Sequence, residues 1–254
     1  MPCSALNLQT PGVRLYLDTA DPKQWSSWFS TGLFYGVTSN PLLLERSQVA
    51  CRVEQLRELA EYAFQLGARE VQLQTWGGRV SNLVATGKTL AAIDDRVVVK
   101  VPVTRTGTEA AAELIAAGIR VTLTGVYAIH QVLIAAALGA EYAAPYLGRM
   151  NDLGGNGRAN LIAMQKVLTS LNSPLRLLVA SIRELEDIVV LSQEGLNTFT
   201  FSPAIAAAFF DVPATVQAEV DFEQAAARMS LQASLSIHPL PNLDSSKEEQ
   251  RQTN

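Results

Sequence analysis

A lysine inside an apolar run carries the strongest chemical signal in this chain. Lys100 lies in VVVKVPV, residues 97–103, among valines that suit a buried parallel strand. Side chains alternate across a strand, so Lys100 shares a face with Val98. Near the C-terminal end of a barrel strand, that face can point into the barrel mouth. Burial there strips hydration from an ammonium and favours the neutral amine. A neutral amine is a nucleophile towards carbonyl carbon. The competing reading of such a lysine is a buried ion pair, or a stem that snorkels outward.

Other polar residues share the same address, at or just after the ends of apolar strands. Asp18 ends RLYLD, where it can pair with Lys100, contact substrate hydroxyls, or cap the helix that follows. Thr38 and Asn40 lie in GVTSNP, and both donate and accept, which suits a polyhydroxylated ligand; the same residues also suit a turn before Pro41. Gln74 and Thr124 end otherwise apolar strands and are candidates to hold a water. Tyr146, in APYLGR, offers a phenol that can move a proton in a suitable environment. Arg149, Ser181 and Arg183 follow the sixth and seventh strands. Two guanidinium groups and a hydroxyl at adjacent strand ends suit a dianion.

Scarcity narrows the alternatives. The only histidines are His130, placed mid-helix by its pattern, and His238 near the end of the chain. With two histidines and two cysteines, neither a His-rich nor a four-cysteine metal site is available, and no metal is expected. No G-x-S-x-G, P-loop or H-E-x-x-H motif occurs. No other cofactor is implied.

Positioning these residues requires a repeating frame, and the chain supplies one. Strand patterns fall at residues 14–18, 35–38, 70–74, 97–101, 120–124, 141–146, 176–180 and 197–201. Helical patterns follow each of them, at 22–30, 41–66, 80–92, 106–117, 126–138, 158–171, 183–192 and 203–210, with a further helix at 214–231. A glycine-rich loop is expected at 147–157. Eight strand–helix pairs in 254 residues fit a single (β/α)8 TIM barrel, an α/β fold whose active sites lie at the C-terminal ends of the strands. An open doubly wound sheet would show G-x-G-x-x-G near its first turn, and none is present. Residues 1–13 read as an N-terminal extension, 14–231 as the barrel with its additional C-terminal helix, and 232–254 as a flexible, disordered tail.

Composition agrees with an ordinary globular protein: 48% hydrophobic, 17% charged and a net charge of −4, without a basic patch that would suit nucleic acid. No apolar run approaches a membrane span, and no secretory signal is expected. Two cysteines fit a reducing cytoplasm.

Taken together, LYLDTAD (15–21), GVTSNP (36–41), VVVKVPVT (97–104), GVYAIHQ (125–131), LGAEYAAPYLGRMND (138–152), GGNG (154–157) and VASIRE (179–184) resemble the transaldolase family, in particular its small fructose-6-phosphate aldolase-like branch. The resemblance implies a Schiff base on Lys100 and proton transfer involving Asp18. It implies contacts from Thr38 and Asn40 to the dihydroxyacetone portion, and phosphate binding by Arg149, Ser181 and Arg183. Gln74 and Thr124 would position a water. True transaldolases carry glutamate and phenylalanine where this chain has Gln74 and Tyr146, so the resemblance favours class I aldolase cleavage of a ketose phosphate such as fructose 6-phosphate. Transaldolase transfer of a dihydroxyacetone unit is the alternative, and a non-catalytic sugar-phosphate-binding barrel the reading from another class. The branch also implies a homo-oligomer, a ring in which the C-terminal helix packs on a neighbour. Ser39 replaces the family's second threonine, and Phe201-Ser202-Pro203 replaces its small residue before proline. Trp76 and Phe201 would narrow the mouth.

Overall fold

The computed structural model describes residues 12–235, the last four by backbone alone. Eight strands alternate with helices. The first half runs β1 (Arg14–Asp18), α1 (Pro22–Phe29), β2 (Gly36–Thr38), α2 (Pro41–Arg46), α3 (Val53–Gln65), β3 (Glu70–Gln74), α4 (Val80–Ala91), β4 (Val97–Pro102) and α5 (Arg105–Ala116). It continues through β5 (Val121–Val126), α6 (Gln131–Leu138), β6 (Tyr142–Pro145), α7 (Leu147–Asp152), α8 (Gly157–Ser170), β7 (Arg176–Leu177), α9 (Leu185–Gln193), β8 (Thr198–Phe201), α10 (Pro203–Ala208) and α11 (Pro213–Leu235).

All strand pairings are parallel, in the order β7-β6-β5-β4-β3-β2-β1-β8. The two edges meet through Val179, whose N–H donates to the Thr198 carbonyl at 2.9 Å while its own carbonyl accepts from Thr200 N–H at 2.8 Å. The sheet thus comes round into a barrel, the (β/α)8 TIM architecture expected from the alternating pattern. Residues up to Phe210 form one compact unit, and a second unit begins at Asp211. No helix among the described residues is long and apolar enough to cross a membrane.

The strand alternation separates two buried sets. Odd neighbours such as Leu17, Val71, Val99, Val101 and Leu123 pack outward under the helices, while Tyr16, Val98, Tyr142, Ala144 and Leu178 fill the barrel interior. Lys100 belongs to the interior face two residues beyond Val98, as its sequence position implied.

Beneath the mouth the interior is polar. Glu70, at the start of β3, is fully buried. Its carboxylate accepts from Tyr16 Oη at 2.8 Å, Gln72 Nε2 at 2.8 Å and Tyr142 Oη at 3.1 Å. Arg120 spans Glu70 and Glu141, and Arg14 donates to Tyr142 Oη. Burial beside this carboxylate pushes the Tyr16 and Tyr142 phenols well above the ordinary tyrosine range, so both stay protonated and donate.

Several sequence expectations differ from the structure: β7, expected over 176–180, is continuous only over Arg176–Leu177, with isolated bridges at Val179 and Ala180. The helix expected over 41–66 is two helices. Gln48 takes a left-handed backbone (φ 56°), and the Val49 N–H closes back onto the Leu44 carbonyl at 2.9 Å, which ends α2 without a glycine. The helix expected from residue 126 begins at Gln131. Val126 is still in β5, and the Gln131 side chain accepts from the Tyr127 and Ala128 N–H groups at 2.8 and 3.0 Å, fixing the intervening turn. His130 is therefore an exposed N-cap residue rather than mid-helix. The loop expected at 147–157 contains α7, whose first N–H groups donate to the Ala180 and Ser181 carbonyls at 2.9 Å each. Expectations for residues 1–11 and 236–254 lie outside the described residues.

Candidate functional site

The strands deliver one polar side chain after another to the C-terminal mouth. Lys100 is 3% exposed, and its Nζ donates to the Ser39 carbonyl at 3.1 Å. None of the ion pairs among the described residues includes it. A buried amine with one neutral acceptor and no carboxylate partner can bond to carbon without first breaking a salt bridge.

One cavity collects most of the sequence-predicted residues. Asp18, Asn40, Lys100, Tyr146, Arg149, Ser181 and Arg183 all line it. An adjoining cavity is lined by Asn40, Gln74, Thr124, Tyr146 and Arg149, so the two share a wall. Gln74 and Lys100 are register partners across β3 and β4. The Thr124 and Tyr146 hydroxyls are 2.9 Å apart, which fixes the phenol at the boundary between the cavities. Thr38 lines neither: it is fully buried, donates to Asp18 Oδ1 at 2.7 Å, and is hydrogen-bonded to Thr200. It orients the Asp18 carboxylate from below.

Asn40 has two tasks. Its Oδ1 caps α2 by accepting from the Leu42 and Leu43 N–H groups at 3.0 and 3.1 Å, which leaves its NH2 group as a donor to the cavity. The turn-capping and ligand-binding readings of this residue are thus compatible.

Arg149 and Arg183, which both line the main cavity, have different partners. Arg149 donates to Tyr127 Oη at 3.3 Å, and its guanidinium carbon lies 5.1 Å from the Tyr146 ring centre. The hydrogen bond to Tyr127 raises its pKa, so the charge is secure. Arg183 forms a two-pronged ion pair with Asp152, which holds that carboxyl below its ordinary range. Ser181 has φ 58°, in the left-handed region that a serine adopts only when its surroundings impose it. Gly148 explains part of the imposition: its N–H donates to the Ser181 carbonyl at 2.9 Å. A Cβ there would sit 2.5 Å from that oxygen and 2.7 Å from Arg183 Nε. Only glycine lets α7 approach this loop.

Several contributors had little signal in the sequence. Arg46, Leu42 and Leu43 from α2 line the main cavity, together with Phe201 and Ser202. Tyr127 lines the second. The Ser39 carbonyl could not be read from a side-chain pattern at all. Phe201 does bound the cavity, held by stacking on Phe209 at 5.5 Å. Trp76 lines neither of these two cavities and packs against the hydrophobic core. Among the described residues, no three His, Cys, Asp or Glu side chains gather closely enough to hold a metal ion.

Comparison with known proteins matches residues 15–240 to the family model described as transaldolase/fructose-6-phosphate aldolase. A protein named probable transaldolase from Thermus thermophilus is 33% identical over 202 residues, 76% of this chain and 88% of that relative. Proteins of the same name from Phenylobacterium zucineum and Nitrosopumilus maritimus are each 31% identical. They cover 80% of this chain and 91% and 90% of their own lengths.

Proposed function

Because the chain belongs to the transaldolase/fructose-6-phosphate aldolase family and is an enzyme of transaldolase type, we propose that it cleaves a ketose phosphate through a Schiff base on Lys100, with fructose 6-phosphate as donor. The observation that carries this reading is the buried Lys100 amine, unpaired with any carboxylate, in one cavity with Asp18, Tyr146 and the two arginines.

In this mechanism the Lys100 amine adds to the C2 carbonyl, and loss of water gives an iminium ion, an electron sink. A base takes the C4 hydroxyl proton, the C3–C4 bond breaks, and its electrons flow into the iminium to give an enamine. Glyceraldehyde 3-phosphate leaves. Protonation of the enamine at C3 regenerates the iminium, and water hydrolyses it to dihydroxyacetone and free amine. Tyr146, tethered to Thr124, is the acid/base we assign, with Asp18 binding substrate hydroxyls and sharing in proton transfer. Gln74 and Thr124 hold the water. Asn40 contacts the dihydroxyacetone part, while Thr38 orients Asp18. Arg149, Ser181 and Arg183 take the phosphate.

A second reading, transfer of the dihydroxyacetone unit to an aldose phosphate, is favoured by the names of the relatives. Glyceraldehyde 3-phosphate release from fructose 6-phosphate, followed with a coupled dehydrogenase, separates the two. Steady release without erythrose 4-phosphate is expected, and Tyr146→Phe should lower it about 10²–10⁴-fold. Release only with the acceptor would make the protein a transaldolase and remove the role given to Tyr146.

We also infer a homo-oligomer. Along α11 the side chains of Val216, Phe222, Met229 and Leu231 are more than half exposed, a large apolar area for a single helix. Light scattering during gel filtration should give a multiple of the 27.4 kDa chain mass. A monomer at micromolar concentration would contradict the inference.

A further inference from the structure

Arg46 lies on α2, the short helix capped by Asn40, and its side chain lines the main cavity together with Lys100, Arg149, Ser181 and Arg183. Its three cationic companions differ from it in what they already hold. Lys100 donates to the Ser39 carbonyl and is the group assigned to bond with carbon. Arg183 is matched by Asp152 in a two-pronged ion pair, so the pair brings almost no net charge to a ligand. Arg149 keeps its full positive charge, because its partner is the neutral Tyr127 hydroxyl. A phosphate monoester near neutral pH carries close to two negative charges. Arg149 alone therefore leaves about one of them unmatched. Arg46 appears in none of the ion pairs or side-chain hydrogen bonds among the described residues. Its residue is exposed, so its guanidinium can swing at little cost. Leu42, four residues earlier and so on the same face of the helix, lines the cavity too, which keeps that face directed at the mouth.

We propose that Arg46 is a specificity-determining residue that supplies the second positive charge for the substrate's phosphate. This rests on the sugar-phosphate reading given above. It gives α2 a purpose beyond placing Asn40: the helix brings its cap to one part of the substrate and its last-turn cation to the phosphate. It also assigns different tasks to the arginines of the site. Arg183, clamped by Asp152, is a fixed hydrogen-bond frame. Arg149 and Arg46 carry the charge.

The test uses the full chain in a Lys100→Met background, where binding is read without turnover. Fructose 6-phosphate and inorganic phosphate are the probes, titrated by calorimetry into the parent, Arg46→Ala and Arg46→Lys. Arg46→Ala should weaken fructose 6-phosphate binding about 10-fold or more, and Arg46→Lys should recover most of the loss because it restores charge. Inorganic phosphate should show the same order. With Lys100 intact, borohydride trapping of dihydroxyacetone, which has no phosphate, should fall by much less than fructose 6-phosphate binding does. Equal affinities in parent and Arg46→Ala, or equal losses for fructose 6-phosphate and dihydroxyacetone, would overturn the proposal; so would a parent that binds neither phosphate probe. Failure of dihydroxyacetone trapping in the protein with Lys100 intact is a separate result. It would remove the Schiff-base reading, while the titrations would still decide the role of Arg46.

Discussion

Lys100→Met is expected to lower turnover of fructose 6-phosphate by at least about 10⁴-fold, because no other amine lies in the cavity to form the iminium. Methionine matches the length of the lysine stem and places no charge at this buried position, so the barrel should keep its stability within about 1.5 kcal/mol. The Ser39 carbonyl loses its donor in this variant, and that sets the size of the penalty. Kinetics with the coupled dehydrogenase, alongside urea unfolding, would check both halves. Turnover within about tenfold of the parent would mean that the nucleophile is another residue.

Glu70→Ala should have the largest effect on stability. The carboxylate is buried, bound by Tyr16, Gln72, Tyr142 and Arg120, and replacing it leaves those donors facing an emptied space. Breaking one side of a buried ionic network costs about 3–5 kcal/mol. Glu70→Gln keeps the volume and part of the hydrogen bonding, and should cost about 1–3 kcal/mol. Gln74 lies four positions beyond Glu70 along β3, about 13 Å of extended chain. The activity of the molecules that remain folded should therefore change little. Urea midpoints measured with kcat on the same samples would test this. A drop in kcat without a shift in midpoint would instead tie the lower network to the chemistry.

How legible was this molecule in its sequence? Most strands were, because short apolar runs alternating with helical patterns leave few alternatives. β1, β3 and β4 began where the pattern placed them. Lys100 was legible for the same reason, since a charge in such a run contradicts its surroundings. The break between α2 and α3 was not. It uses a left-handed Gln48, and a glutamine gives no warning that a helix stops. The α7 segment was read as a loop because glycines surround it, although the backbone groups of the β7 end hold its first turn. Nothing local marks Glu70 or Arg120; only the fold brings Glu70, Arg120 and Glu141 together. Arg46 was hidden differently. An arginine late in a helix is usually solvated, and nothing local marks the one that turns to a cavity. The strand-end residues share an address that the repeating pattern supplies, whereas α2 residues enter the site through a short helix whose direction the pattern does not fix.

Borohydride trapping tests the proposed chemistry most directly. The protein would be incubated with fructose 6-phosphate, reduced, digested and sequenced by mass spectrometry. An adduct with the mass of a reduced dihydroxyacetone or fructose 6-phosphate unit on the peptide containing Lys100 is the expected result, absent when Lys100→Met is treated in the same way. Full turnover with no adduct on Lys100, or an adduct on Lys88 or Lys166 instead, would contradict a Schiff base at the fourth strand.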